Sequence, residues 1–159
     1  MPIQISYLAD HPEHIAPVAN WFSDEWGRLW TPDSFSGWWD VSCERANYST
    51  LPLAYVAHRQ GELVGAGSLD RQPFCPELQR FDAPWVTGLF ATDNERAEDV
   101  KALLLRKLLE TAKHFGYHRI YTFFPVLHAN YNYEGRGWSK IETVVLAGRE
   151  LYIMSMHID

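Results

Sequence analysis

Apolar and polar residues alternate over Ile3-Gln4-Ile5-Ser6-Tyr7, a period of two that predicts a first strand. Asp10 stands before His11-Pro12-Glu13 and reads as a helix N-cap, with the proline in the first turn, where its missing N–H is no loss. Ile15, Val18, Ala19, Phe22 and Trp26 then recur at helical spacing, so one face of a helix ending near Gly27 should be buried. Thr31-Pro32-Asp33-Ser34 restarts a second helix carrying Phe35, Trp38, Trp39 and Val41, and residues 47–51 read as a loop. Leu53 to His58 and Leu63 to Leu69 are strands of a hairpin turned at Gln60-Gly61. Residues 71–83 read as an irregular crossing. Trp85 to Ala91 is largely apolar and predicts a central, buried strand. The longest helix, capped by Asp93 or Asn94, runs to about Phe115 with Val100, Leu103, Leu104, Leu108, Ala112 and Phe115 on its core face and Gly116 just past its end. Arg119 to Phe124 is a fifth strand, residues 127–135 suggest a short helix, and Trp138 to Leu146 with Glu150 to His157 form a closing hairpin turned at Ala147-Gly148-Arg149.

This order of elements predicts an α/β or α+β sandwich, with a mixed sheet of seven strands and helices on both faces. With 159 residues and no repeat or linker, we read a single domain over 1–159. Area scaling has a chain of this size bury about 69% of its unfolded surface, enough for a core without staples. Two cysteines, Cys43 and Cys75, make no disulfide framework. With no basic stretch leading into an apolar one at the N-terminus, they point to a reducing cytoplasm. No apolar run approaches the roughly 20 residues of a membrane span.

Fourteen Lys and Arg against twenty Asp and Glu give a net charge of −6, which disfavours nucleic acid and leans toward a cationic ligand. Aromatic residues reach 14%, more than a small core ordinarily needs, so several could line a pocket. Seven histidines are present, and His11 with His14, like His114 with His118, lacks the Cys or carboxylate company of a zinc site. No metal is therefore expected. Gly65-x-Gly67 opens no helix and is not a dinucleotide fingerprint.

Four stretches together resemble the GNAT N-acetyltransferase superfamily. The hairpin from Tyr55 to Leu69 is like the second and third strands of that fold, and Trp85 to Ala91 with the long helix behind it is like the cofactor-binding strand and helix. Gly116-Tyr117-His118-Arg119-Ile120-Tyr121 matches the usual lead-in to the fifth strand, and Ala129, Tyr133, Gly137 and Trp138 match an Ala-x-x-x-Tyr-x-x-x-Gly-aromatic signature. The resemblance spans nearly the whole chain. It implies a mostly antiparallel sheet with a wedge between the fourth and fifth strands, and acetyl transfer from acetyl-CoA to an amine by direct attack. The backbone of Leu89, Phe90 and Ala91 would pair with the pantetheine arm, and an N–H near Leu89 would polarise the thioester. Tyr133 would protonate the departing thiolate, and Asp70 is the first candidate base, ahead of Glu77 and Asp82.

The family's phosphate loop is Arg/Gln-x-x-Gly-x-Gly/Ala, whose glycines let backbone N–H groups curl around a diphosphate. Here the aligned run is Arg96-Ala97-Glu98-Asp99-Val100-Lys101, with Asp99 and Lys101 at the two small-residue positions and no glycine between Gly88 and Gly116. Arg96 and Lys101 would then be the phosphate contacts. Trp26, Trp30, Trp38 and Trp39 fall on the segment that covers the acceptor side. Trp26, Trp30 and Trp38 are taken as candidate contacts to a small-molecule amine, with core packing as the open alternative for two of the four. The resemblance admits a homodimer through the closing hairpin. A GNAT-like protein that binds a ligand or partner without turnover is the alternative function.

Overall fold

The computed structural model describes residues 2–26, 35–72, 81, 84–92, 96–125, 137–146 and 148–158, with side chains for all of these but 25, 26, 35–37 and 125. Its strands are β1 (Ile3–Tyr7), β2 (Leu53–Arg59), β3 (Glu62–Asp70), β4 (Trp85–Ala91), β5 (Arg119–Pro125), β6 (Ser139–Leu146) and β7 (Arg149–His157). Its α-helices are α1 (Ile15–Trp26), α2 (Phe35–Arg45) and α3 (Ala97–His114). The strands form one sheet in the order β1-β2-β3-β4-β5-β7-β6. Every neighbouring pair is antiparallel except β4 with β5. The mixed, mostly antiparallel seven-stranded sheet is as expected. That β7 would lie between β5 and β6 was not evident from the hydrophobic pattern.

The period of two in β2 divides its side chains between two cores. Leu53, Tyr55 and Ala57 pack with Val100, Leu104 and Leu108 of α3 on one face. Ala54 and Val56 pack with Val18, Phe22, Trp38 and Val41 of α1 and α2 on the other. A third cluster, Trp85, Tyr121, Phe123, Leu151 and Ile153, builds the sheet's second half.

Element boundaries shift for local reasons. Residues 8–10 and 12–14 form two 3-10 turns, so α1 starts at Ile15 instead of just after Asp10. Asp10 caps nothing; its carboxylate accepts a 2.6 Å hydrogen bond from the Tyr48 hydroxyl. On α3, Leu105 and Thr111 are buried in addition to Val100, Leu104, Leu108 and Ala112, while Leu103 and Phe115 are half-buried. The helix ends in a Schellman turn: Tyr117 N–H donates to Ala112 O and Gly116 N–H to Lys113 O, both at 3.0 Å. Gly116 adopts φ +89, the left-handed value that turn requires. The expected helix at 127–135 and the caps Asp93 and Asn94 lie outside the described residues.

Candidate functional site

Strands β4 and β5 run side by side only briefly. They pair at Trp85 with Tyr121 and at Val86 with Thr122, and the ladder stops there. The cause lies in β4. Between Ala66↔Phe90 and Ser68↔Thr87, β3 advances two positions while β4 advances three, which is a bulge at Gly88-Leu89. Gly88 has φ +60, and a Cβ on it would lie 2.6 Å from the Phe22 ring, so both the backbone angle and the space call for glycine. A bulge bends and over-twists its strand, and this one carries Leu89, Phe90 and Ala91 away from β5. Trp85 to Thr87 are buried, whereas Gly88 to Ala91 are half-buried, so β4 is not buried along its whole length as the apolar run suggested. On one side this stretch pairs with Gly65 and Ala66 of β3, through Ala91 and Phe90. Its other side faces the space that β5 leaves.

A buried polar network sits where the strands part. Arg45, the last residue of α2, donates from Nε to Asp70 Oδ1 at 3.1 Å and from Nη2 to Asp70 Oδ2 at 2.7 Å. Arg45 Nη2 also donates to Thr87 Oγ1 at 3.2 Å, and the Thr87 hydroxyl donates to Asp70 Oδ2. Ser68 Oγ donates to the Thr87 carbonyl at 2.9 Å. The Arg45 guanidinium lies 5.1 Å from the centre of the Phe22 ring, the same ring that meets Gly88. A buried charge pair must be nearly fully hydrogen-bonded to offset its desolvation, and this one is bidentate.

Asp70 is therefore brought to the apex of the wedge but does not present a free base. The residue is 2% exposed and both carboxylate oxygens are engaged. Trp38 is also relocated by the fold: it is 2% exposed and packs 5.9 Å from Phe22, a core position and not a wall open to an acceptor. Trp39 is exposed. Trp26 ends α1, and its side chain, like Trp30, Tyr133, Glu77 and Asp82, lies outside the described residues. Among the described residues, Trp21 of α1 stacks its ring on Phe90 of this half-buried stretch, with ring centres 4.6 Å apart. It falls off the strict apolar face of α1, so periodicity passes over it.

Helix α3 begins beyond the end of β4. Arg96 is its N-cap residue and makes no side-chain cap bond to the first turn. Asp99 and Lys101 stand inside the helix, where no positive φ is needed, so having no glycine at these positions leaves the backbone unstrained. The first-turn N–H groups of any helix lack intrahelical acceptors and favour an anion. Arg96 Nε lies 3.5 Å from Asp99 Oδ2, so that carboxylate partly neutralises the guanidinium.

A separate cleft of about 520 Å³ lies on the α3 side of β1 and β2, lined by Tyr7, Tyr48, Tyr55, Lys107, Glu110 and His114 among others. Burial pushes the Tyr55 phenol up to about 12, and its hydroxyl shares a 2.7 Å hydrogen bond with Thr111 Oγ1. This cleft is remote from β5 and plays no part in the wedge.

No protein-family model matches the sequence, and no curated protein matches it. Solved structures do match, along the full length. The structure of yncA from Salmonella typhimurium with its cofactor acetyl-CoA superposes at TM-score 0.75 and 11% identity, covering 100% of this chain and 95% of that one. The aminoglycoside 6'-N-acetyltransferase from Enterococcus faecium gives TM-score 0.69 at 16% identity, with 100% and 98% coverage. An acetyltransferase of the GNAT family from Streptococcus pneumoniae gives 0.66 at 13%, with 99% and 100% coverage.

Proposed function

We propose that this chain, which has the GNAT fold, transfers an acetyl group from acetyl-CoA to an amine of a small molecule. The observation that carries the proposal is the early parting of β4 and β5, with the bulge at Gly88 turning the backbone of Leu89 to Ala91 toward the gap. An extended pantetheine arm would pair there as an added strand, and a β4 N–H would stabilise charge on the thioester oxygen. The neutral amine nitrogen attacks the thioester carbon, the carbon–sulfur bond breaks, the thiolate takes its proton from Tyr133, and the proton shed by the nitrogen passes through solvent water to restore the Tyr133 hydroxyl. Holding both reactants in one frame supplies much of the remaining acceleration.

The phosphate end would rest on the first turn of α3, with Ala97, Asp99 and Val100 offering backbone and Arg96 and Lys101 offering charge. We assign Asp70 a positioning role: it fixes Arg45, and through it α2, against the apex of the wedge. The Phe90–Trp21 stack gives the acceptor side an aromatic wall. The exposed carboxylates of Glu98 and Asp99, near that diphosphate position, favour one second reading, ligand binding without turnover.

The test is thiol release from acetyl-CoA across a panel of primary amines, with Tyr133→Phe and Asp70→Asn beside the wild type. The proposal expects turnover with at least one amine and a loss of kcat of about a hundredfold in Tyr133→Phe. It also expects Asp70→Asn to keep the shape of the pH profile while losing stability. Thioester binding with no turnover on any amine would leave the second reading.

A further inference from the structure

The fold brings together three histidines from two segments that are far apart in the sequence. His11 joins the two 3-10 turns ahead of α1, His14 ends the second of them, and His58 comes from β2. One ring nitrogen from each lies within 4.8 Å of the others. The ring centres are 4.5 Å apart for His11 and His58, 4.8 Å for His14 and His58, and 5.4 Å for His11 and His14. From these distances we propose that His11, His14 and His58 form a binding site for a divalent transition-metal ion, zinc by preference.

Two further features fit. His58 is 6% exposed, and its Nε2 is buried with no hydrogen-bond partner among the described residues. A buried ring nitrogen without a partner is destabilising unless something meets it, and a metal ion is one such partner. Glu13, between His11 and His14 in sequence, supplies the carboxylate that the expectation of no metal there left out: it lies 3.2 Å from His11 Nδ1. A carboxylate accepting from Nδ1–H fixes the tautomer with its lone pair on Nε2, the arrangement that commonly supports metal-ligating histidines.

Imidazole is a good ligand for zinc, nickel and copper and a poor one for magnesium or calcium. Tetrahedral zinc with bonds of about 2.0–2.1 Å puts its nitrogens roughly 3.4 Å apart, so the rings would draw in by about an ångström on loading. His11 and His14 are only half-buried, which leaves a solvent side for a water as fourth ligand. An ion here would tie the start of α1 to β2. Sequence alone could pair His11 with His14, but only the β1–β2 register brings His58 beside them: Gln4 faces His58, and the chain passes from β1 straight into the two turns.

The experiment is calorimetric titration of zinc chloride into untagged, chelator-stripped protein. The site predicts one ion per chain with Kd below about 10 μM, and no saturable binding of magnesium. His11→Ala and His14→Ala lie outside the buried core and should fold normally, which circular dichroism checks; each should weaken binding about tenfold or more. His118→Ala, an exposed histidine elsewhere, should leave binding unchanged. Cobalt substitution adds a readout of the ligand set: tetrahedral visible absorption in the wild type, lost in His14→Ala. No saturation by zinc up to about 1 mM would overturn the proposal, and so would binding that both histidine variants leave intact.

Discussion

Gly88 does two things at once: it supplies the positive φ of a bulge and leaves room for the Phe22 ring. Gly88→Ala should therefore destabilise the chain by about 1–3 kcal/mol, from backbone strain and overpacking together. Urea unfolding measures it, and a second change of Phe22→Leu should recover part of the loss. Arg45 poses a different problem. Its side chain is 2% exposed and that of its partner Asp70 is 4% exposed, so Arg45→Met leaves a carboxylate buried and unpaired. A loss of about 3–5 kcal/mol is expected, while the double change Arg45→Met, Asp70→Leu should recover most of it. Asp70 was legible in the sequence as a carboxylate at a strand end. Its partner was not, because nothing in the chain pattern distinguishes a buried helix-terminal arginine from a solvated one.

The histidine cluster gives a pH dependence with a definite sign. His14 and His58 have pKa values below the ordinary 6.5 in the folded chain, chiefly through burial. The unfolded chain binds protons more readily at these positions, so stability is full above about pH 6.5 and falls as the pH drops through the lower folded values. Thermal unfolding from pH 7.5 to 5 should show this decline, and His58→Asn should flatten it. A melting temperature that rose on acidification would contradict the assignment.

Strand and helix identities came readily from periodicity, and β1 and β4 from residue to residue. Helix starts were harder. Pro12 and Asp10 look like a helix beginning, but the chain spends residues 8–14 on two 3-10 turns before α1. The end of α3 was legible because a glycine past a basic last turn has few alternatives. Gly116→Ala should lower stability by about 1 kcal/mol: a Cβ there meets nothing within 4 Å, so backbone strain at φ +89 is the only penalty. The midpoint of chemical denaturation measures it directly. Sheet order was not legible: the resemblance implied only the wedge between the fourth and fifth strands, and alternation fixes which face a residue takes but not which strand lies beside it.

Among the described residues, α1 and α2 cover one face of the sheet, α3 covers the other, and the sheet parts between β4 and β5. That architecture survives a run of acids where the family keeps glycines, because α3 needs no positive φ there. On the proposed function, CoA binding rests on the charge balance at one helix end. Arg96→Ala should raise the Kd for CoA about threefold to tenfold, the effect of one charge-assisted contact, and more so at low salt. The most direct measurement is calorimetric titration of the purified chain with acetyl-CoA, with free CoA as the control. One site of micromolar affinity is the predicted result. No heat of binding at millimolar ligand would contradict the acetyl-transfer account.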